Sequence, residues 1–221
     1  MQACVYYAYS TLGWTVEVTT WTVAGLLLGC LPFSYWVGRL LLRKDIRRYG
    51  DGNPGATNVY NAGGPVVYVL AILLDAFKAT LPVWLAQQVS HVTGLALVPV
   101  ALAPLLGNAF TPFLRFNGGT GVAVVYGTWL ALTGWQGPVI VAAFIGLIFI
   151  FIRETPWCVI IGMTMVTVSL LIAQYPLYMA GVSIGQTAIM GYQRRQHFTH
   201  WPKMQKWVSL LSGKREAEPP L

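Results

Sequence analysis

Long apolar runs dominate the chain, separated by short polar segments. Charge-poor stretches lie near 21–42, 66–86, 95–113, 121–134, 137–152, 156–173 and 176–192. Runs of this length, apolar on every face, predict buried or lipid-embedded helices rather than strands. Together they predict an all-α, polytopic integral membrane protein with about seven transmembrane helices. The run over 121–134 gives only ~21 Å of helix, against a hydrocarbon core of ~30 Å. Two readings stand: local thinning of the bilayer, or broken and re-entrant helices lining a polar cavity. Pro32, Pro82, Pro104 and Pro112 sit where a helix can kink.

Composition sharpens the class. Of the 221 residues, 56% are hydrophobic and only 10% are charged, against roughly 25% charged in a soluble domain. The mean hydropathy is +0.59. The net charge of +7 would suggest nucleic acid in a soluble protein. In a membrane protein it reports topology and an affinity for anionic ligands or lipid headgroups, so no nucleic-acid partner is expected. Of the 14 basic residues, Lys78 lies within an apolar run and Arg39 near the end of one; the other twelve lie between or beyond the runs, and all but Lys78 fall on one side of a seven-crossing arrangement. The positive-inside rule makes that side cytoplasmic, with the N-terminus outside and the C-terminus inside. This divides the chain into a transmembrane domain over 1–192 and a basic cytoplasmic tail over 193–221. The expected location is the inner (plasma) membrane. The tail carries Trp201 and Trp207 among its charges and is read as topology-setting, with an interfacial amphipathic helix as the alternative. Its last residues, 215–221, are expected to be disordered.

Three cysteines, Cys4, Cys30 and Cys158, form no metal-binding spacing. Cys30 ends a Leu-Leu-Gly-Cys string like a lipoprotein cleavage box, but residues 1–38 carry no Lys or Arg, and a signal peptide needs a basic n-region. His197 and His200 lack the companions of a zinc motif, and no GxSxG string occurs. No metal or cofactor is expected.

The candidate chemistry lies in two polar loops. Residues 45–58 gather Gly50, Gly52 and Gly55 with Asn53, Thr57, Asn58 and arginines. Their GxGxxG spacing follows no strand, which argues against a dinucleotide site. Residues 115–121 include Gly118, Gly119, Thr120 and Gly121 and open directly into an apolar run. Glycines leave backbone N–H groups accessible to an anion, and a helix N-terminus adds its dipole. Each loop alone also reads as an ordinary turn; two on one membrane face suggest a shared anion pocket. Asp75 and Lys78, three residues apart inside an apolar run, share a helix face. They are read as a buried ion pair that fixes packing.

Several strings in order carry a family resemblance: Gly29-Cys30-Leu31-Pro32-Phe33, Gly52-Asn53-Pro54-Gly55-Ala56-Thr57-Asn58-Val59, Leu74-Asp75-Ala76-Phe77-Lys78, Gly107-Asn108-Ala109-Phe110 and Phe116-Asn117-Gly118-Gly119-Thr120-Gly121. Over roughly 24–196 the chain resembles the bacterial acyl-phosphate-dependent glycerol-3-phosphate acyltransferases. The resemblance implies a seven-helix membrane enzyme with its active-site loops on the cytoplasmic face. It would transfer an acyl group from acyl phosphate to glycerol 3-phosphate, giving lysophosphatidic acid for phospholipid synthesis, with no nucleotide or metal. Its partners would be those two substrates and membrane lipids. Asn53, Thr57, Asn58, Gly118, Gly119, Thr120, Gly121 and Arg194 would contact substrate.

The polar positions depart from the family pattern. Asp51 stands where the family has Ser, Asn61 where it has Arg, and Asn108 where it has His. Asn117 and Thr120 replace two lysines, and Gln193 and Gln196 fall near a His and an Asn. The sequence therefore carries three readings: a membrane acyltransferase, a non-catalytic relative that binds lipid or a partner, and a transporter.

Overall fold

The structure is a computed structural model that describes the backbone of residues 2–205 and side chains from residue 13 to residue 205. Lys206, Trp207 and the segment 215–221 lie outside the described residues. Nine α-helices occur among the described residues: α1 (Gln2–Gly29), α2 (Phe33–Leu41), α3 (Ala56–Gly63), α4 (Pro65–Gln88), α5 (Leu97–Ala109), α6 (Val122–Thr133), α7 (Gln136–Phe151), α8 (Thr155–Ile172) and α9 (Leu177–Gln193), joined by turns and short 3-10 segments. No strand is formed among them; one isolated antiparallel bridge joins Ile152 to Met204.

Each of the seven apolar runs is helical, with two differences from the sequence reading. The first run breaks at Gly29–Pro32 into α1 and α2, because Pro32 cannot donate to a helical carbonyl and becomes the N-cap of α2. The long polar loop is shorter than expected, because α3 starts at Ala56 and takes in Thr57 and Asn58. Pro82 and Pro104 stay inside continuous helices. Among the described residues, four helical runs are long and apolar enough to cross a bilayer: Gly13–Leu41, Pro65–Gln88, Gly94–Leu114 and Thr155–Ile172. Helix α6 has 12 residues, about 18 Å, and starts inside the molecule at the cavity described below.

Small residues let the helices approach. A Cβ on Gly29 would collide with the Pro104 backbone, one on Gly107 with the Leu26 carbonyl, and one on Gly127 with the Ala76 backbone. These contacts seat α1 on α5 and α4 on α6, as expected where helices associate by close packing rather than by a hydrophobic drive out of water. The main core gathers Val83, Leu97, Val100, Leu105, Trp129, Val141, Val159 and Met163. Trp129 Nε1–H donates to Gln186 Oε1 at 3.0 Å, tying α6 to α9.

Lys78 is the largest polar group in this interior. It is 1% exposed. Its Nζ lies 2.8 Å from Asp75 Oδ1 and donates to the Leu31 carbonyl at 2.9 Å and to Asn108 Oδ1 at 2.8 Å. The Ser34 hydroxyl donates to the other Asp75 oxygen. The expected ion pair therefore forms, and it does more than hold one helix: it joins α4 to α2, to the Gly29–Pro32 break and to α5.

Candidate active site

The two Gly-rich loops meet. Arg115 (φ +55°) and Phe116 (φ +61°) both take the left-handed conformation and turn the chain back over the end of α5. There Gly118 N–H donates to the Ala109 carbonyl at 3.0 Å. Any Cβ at Gly118 would strike the Asn108 carbonyl, so only glycine lets the loop lie this close. Asn108 completes the seat: its Nδ2–H donates to the Gly119 carbonyl at 3.0 Å while its Oδ1 accepts from Lys78. Gly121, at φ +84°, then caps α6; this left-handed turn aims the first turn of α6 into the cavity and suits glycine.

The other loop is held by its own side chains. Asp51 Oδ1 accepts from Asn53 N–H at 3.1 Å and from Asn58 Nδ2–H at 3.0 Å. Asn58 Nδ2 also donates to the Asn53 carbonyl, and Asn61 Nδ2 donates to Asn58 Oδ1. Asn58 is 1% exposed. One hydrogen bond crosses between the loops: Thr120 N–H donates to Asn53 Oδ1 at 3.1 Å.

The end of α9 closes the arrangement from another side. Gln193 Nε2–H donates to the Gly118 carbonyl at 2.9 Å, and Arg194 Nε–H donates to Thr120 Oγ1 at 2.7 Å. Arg194 Nη2 is buried with no hydrogen-bond partner. Burial lowers the guanidinium from its ordinary value, and the Asp51 carboxylate works against that shift. A buried guanidinium with an unused N–H pair is a ready partner for an anion.

Between these pieces lies a cavity of about 1170 Å³. Asn53, Thr57, Asn58, Gly119, Thr120 and Gly121 of the expected residues line it. Gly118 directly precedes the lining residue Gly119, and Arg194 is tied to the lining by its hydrogen bond to Thr120. The structure thus brings all eight together. The lining also holds residues that the sequence reading did not place in the site: Asn61, Asp75, Asn108, Arg153, Glu154, His197 and Lys203. For Asn61 and Asn108 the signal was their place at polar positions of the family pattern, and for Asn108 also an amide inside an apolar run. Arg153 was read only for topology.

Three helices start at this cavity. Gly55, Ala56 and Thr57 of α3, Gly121 to Val124 of α6, and Glu154 to Pro156 of α8 all line it, and these are the N-caps and first residues of their helices. The first N–H groups of a helix have no intrahelical acceptor, and its N-terminus carries about half a positive charge. Three such ends at one place make a field for anions, although Pro156 in the first turn of α8 contributes no N–H. Asp51, Tyr68 and Tyr126 line it as well, and apolar side chains, among them Ile72, Val124, Ile145, Phe149 and Val159, cover the remainder. The cavity can therefore hold a ligand that is anionic at one end and apolar at the other.

The chain is similar to known proteins over most of this structure. Residues 19–203 match the family model described as glycerol-3-phosphate acyltransferase. A glycerol-3-phosphate acyltransferase of Ralstonia nicotianae is 42% identical over 125 residues, 55% of this chain and 60% of that relative. One of Ralstonia pickettii is 41% identical over 143 residues, 62% of this chain and 68% of the relative. One of Thermotoga maritima is 36% identical over 116 residues, 52% of this chain and 57% of the relative. The matched stretch thus spans roughly three fifths of these curated relatives' own lengths. A crystal structure of PlsY (YgiH), an integral membrane glycerol 3-phosphate acyltransferase in its glycerol 3-phosphate form, superposes with a TM-score of 0.72 at 27% identity, covering 90% of this chain and 94% of that one. Its lysophosphatidic acid form gives 0.70 at 25% identity with the same coverage. With its membrane helices, its two interlocked glycine loops and a family match over nearly the whole described chain, the protein belongs to the glycerol-3-phosphate acyltransferase family of integral membrane proteins.

Proposed function

We propose that the cavity is the site of acyl transfer from acyl phosphate to glycerol 3-phosphate, yielding lysophosphatidic acid and inorganic phosphate. The observation that carries this reading is the convergence of three helix N-termini, with the unpaired Arg194 Nη2 behind them, on a cavity that is polar around the loops and apolar along Ile72, Val124, Ile145, Phe149 and Val159. Both substrates are phosphorylated and one carries a fatty chain, so one site must combine positive potential with apolar surface.

In the reaction a glycerol hydroxyl oxygen bonds to the acyl carbonyl carbon. The bond from that carbon to the phosphate oxygen breaks, and the hydroxyl proton ends on the released phosphate. The chain's part is to hold two anions close together and to stabilise charge on the carbonyl oxygen as it develops. Asn53, Thr57, Asn58, Gly119, Thr120 and Gly121 shape the pocket, and Gly118 and Arg194 back it. A network of amides already satisfied by one another, by the Asp51 carboxylate and by Lys78 suits positioning, because it need not rearrange as charge moves.

The enzyme is read as a seven-crossing protein of the inner membrane, N-terminus outside and C-terminus cytoplasmic, with the cavity on the cytoplasmic side. A transmembrane domain over 1–192 is followed by the basic segment 193–221. The position of all basic residues except Lys78 supports this topology. The test is an assay of purified protein in detergent with acyl phosphate and glycerol 3-phosphate, following lysophosphatidic acid and phosphate together. Equimolar appearance of both supports the reading. No product, with substrate binding retained, would leave the non-catalytic relative in its place.

A further inference from the structure

The asparagine loops are not the whole polar lining of the cavity. Arg153 lies in the turn between α7 and α8, His197 in the 3-10 turn after α9, and Lys203 on an extended segment beyond it; all three line the same cavity. Backbone pairing holds the extended segment against the end of α7. Arg153 N–H donates to the Lys203 carbonyl at 2.9 Å, and Gln205 N–H donates to the Phe151 carbonyl at 2.8 Å. Gln205 Nε2–H adds a bond to the Phe149 carbonyl at 2.9 Å. The Trp157 and Phe198 rings meet edge to face at 5.0 Å. All of these fix the segment without using its charges. Among the described residues, the Arg153 and Lys203 side chains have neither an ion pair nor a hydrogen bond.

Two cations and an imidazole, brought to one cavity by a dedicated backbone clamp and left unpaired, form an incomplete arrangement. A phosphomonoester dianion would complete it. The start of α8 lies beside them and favours the same sign of ligand. Three carboxylates share the lining with them. Asp75 is paired with Lys78 and Asp51 accepts from the Asn53 and Asn58 N–H groups, whereas Glu154, next to Arg153 in the chain, opposes the ligand directly: its Oε2 is buried without a hydrogen bond and lies 3.9 Å from His200 Nδ1. We infer that Arg153, His197 and Lys203 form a second phosphate subsite, separate from the asparagine–glycine loops, for the terminal phosphate group of one of the two substrates. This rests on the proposed reaction, in which two phosphorylated molecules occupy one cavity and Arg194 serves only one of them.

The test is calorimetry on the full chain in detergent, with dodecyl phosphate, glycerol 3-phosphate and inorganic phosphate as probes at low and high salt. Lys203→Ala keeps the backbone clamp, which uses only main-chain atoms of residue 203, and thermal melts check that it does. Lys203→Ala and Arg153→Gln should each weaken binding about tenfold, the equivalent of one charge-assisted hydrogen bond. Lys203→Arg should restore it, and Glu154→Gln should strengthen it. Loss confined to dodecyl phosphate assigns the subsite to the acyl donor; loss confined to glycerol 3-phosphate assigns it to the acceptor. Unchanged affinity for every probe in both loss variants overturns the subsite, as does the absence of any phosphate binding. Displacement of the probes by phosphatidylglycerol would make it a lipid-headgroup site instead and also overturns it. Parent protein that binds phosphomonoesters through these residues but transfers no acyl group would keep the subsite and retire the proposed reaction.

Discussion

The two polar parts of the cavity lining hold their groups in opposite ways. Around Asn53, Asn58 and Asn108 the side chains bond to one another and to loop carbonyls, and Lys78 anchors the set from below. Around Arg153 and Lys203 the backbone is paired and the charged side chains are not. The first part is built of amides and of charges that already have partners, Asp51 and Lys78, and is fixed in shape; the second is charged and open. A satisfied amide network orients a ligand at little reorganisation cost, whereas unpaired cations attract one at the expense of sensitivity to salt. For the proposed transfer, which brings two anions together, keeping these tasks apart is an advantage.

The comparison breaks most severely at the anchor. Lys78→Met leaves Asp75 buried without its cation, and removing one member of a buried pair typically costs about 3–5 kcal/mol. Folded yield in detergent should fall sharply. Asp75→Ala combined with Lys78→Met should recover much of the yield, because no buried charge then remains. It should not recover transfer, because Asn108 loses the donor that orients it. Equal yields in the single and double variants would contradict the pairing.

Gly118→Ala comes next. Its Cβ would strike the Asn108 backbone, and overpacking of this kind costs about 1–3 kcal/mol. The loop over 115–121 should lift from α5, lowering the melting temperature and activity together.

Asn53→Ala is gentler on the fold and more specific. It removes the hydrogen bond that joins the two loops, leaving a buried N–H with a desolvation cost of about 1–3 kcal/mol. If this part of the lining orients rather than attracts, kcat should fall roughly 10- to 100-fold with KM nearly unchanged. A rise in KM alone would assign it to binding instead.

The smallest effect lies outside the cavity. Hydrogen bonds from Arg47, aided by the charges of Arg47 and Arg39, hold the Asp45 carboxyl down at about 2 against a desolvation effect in the other direction. A depressed carboxylate stabilises the fold above its unfolded value of roughly 4 and loses that contribution as pH falls towards 2. Arg47 is 44% exposed, so the contribution is held to about 1 kcal/mol or less. Asp45→Asn should flatten the acid limb of the melting profile between about pH 4 and 2 and leave phosphate binding at neutral pH alone.

Much of the fold was legible because its signal is one-dimensional. Apolar runs of helical length announce themselves, and each of the seven became a helix. The break at Pro32 was visible as a proline, but α1 reaches back to Gln2 through a stretch too rich in Thr and Tyr to register as apolar. In the site, the glycine loops were legible from composition and from family strings, and their meeting was a fair inference from one shared membrane face. The bonds that join them were not legible. Asn108 and Gly119 are neighbours only because Arg115 and Phe116 adopt left-handed turns, which neither residue type advertises. Lys203 and Arg153 are 50 positions apart in sequence, and their pairing is by main chain, which leaves no side-chain pattern to read. Thr120 shows the same limit: where the family pattern has a lysine, this chain places the Arg194 guanidinium against the threonine hydroxyl, a charge supplied from another helix.

The central claim is that this chain transfers acyl groups in a cavity where charge attracts and amides orient. The most direct test is steady-state transfer from acyl phosphate to glycerol 3-phosphate by the purified parent protein at low and high ionic strength, with kcat and KM resolved separately. The account predicts saturable turnover in which KM rises with salt while kcat stays level. No turnover at any substrate concentration, or a KM indifferent to salt, would contradict it.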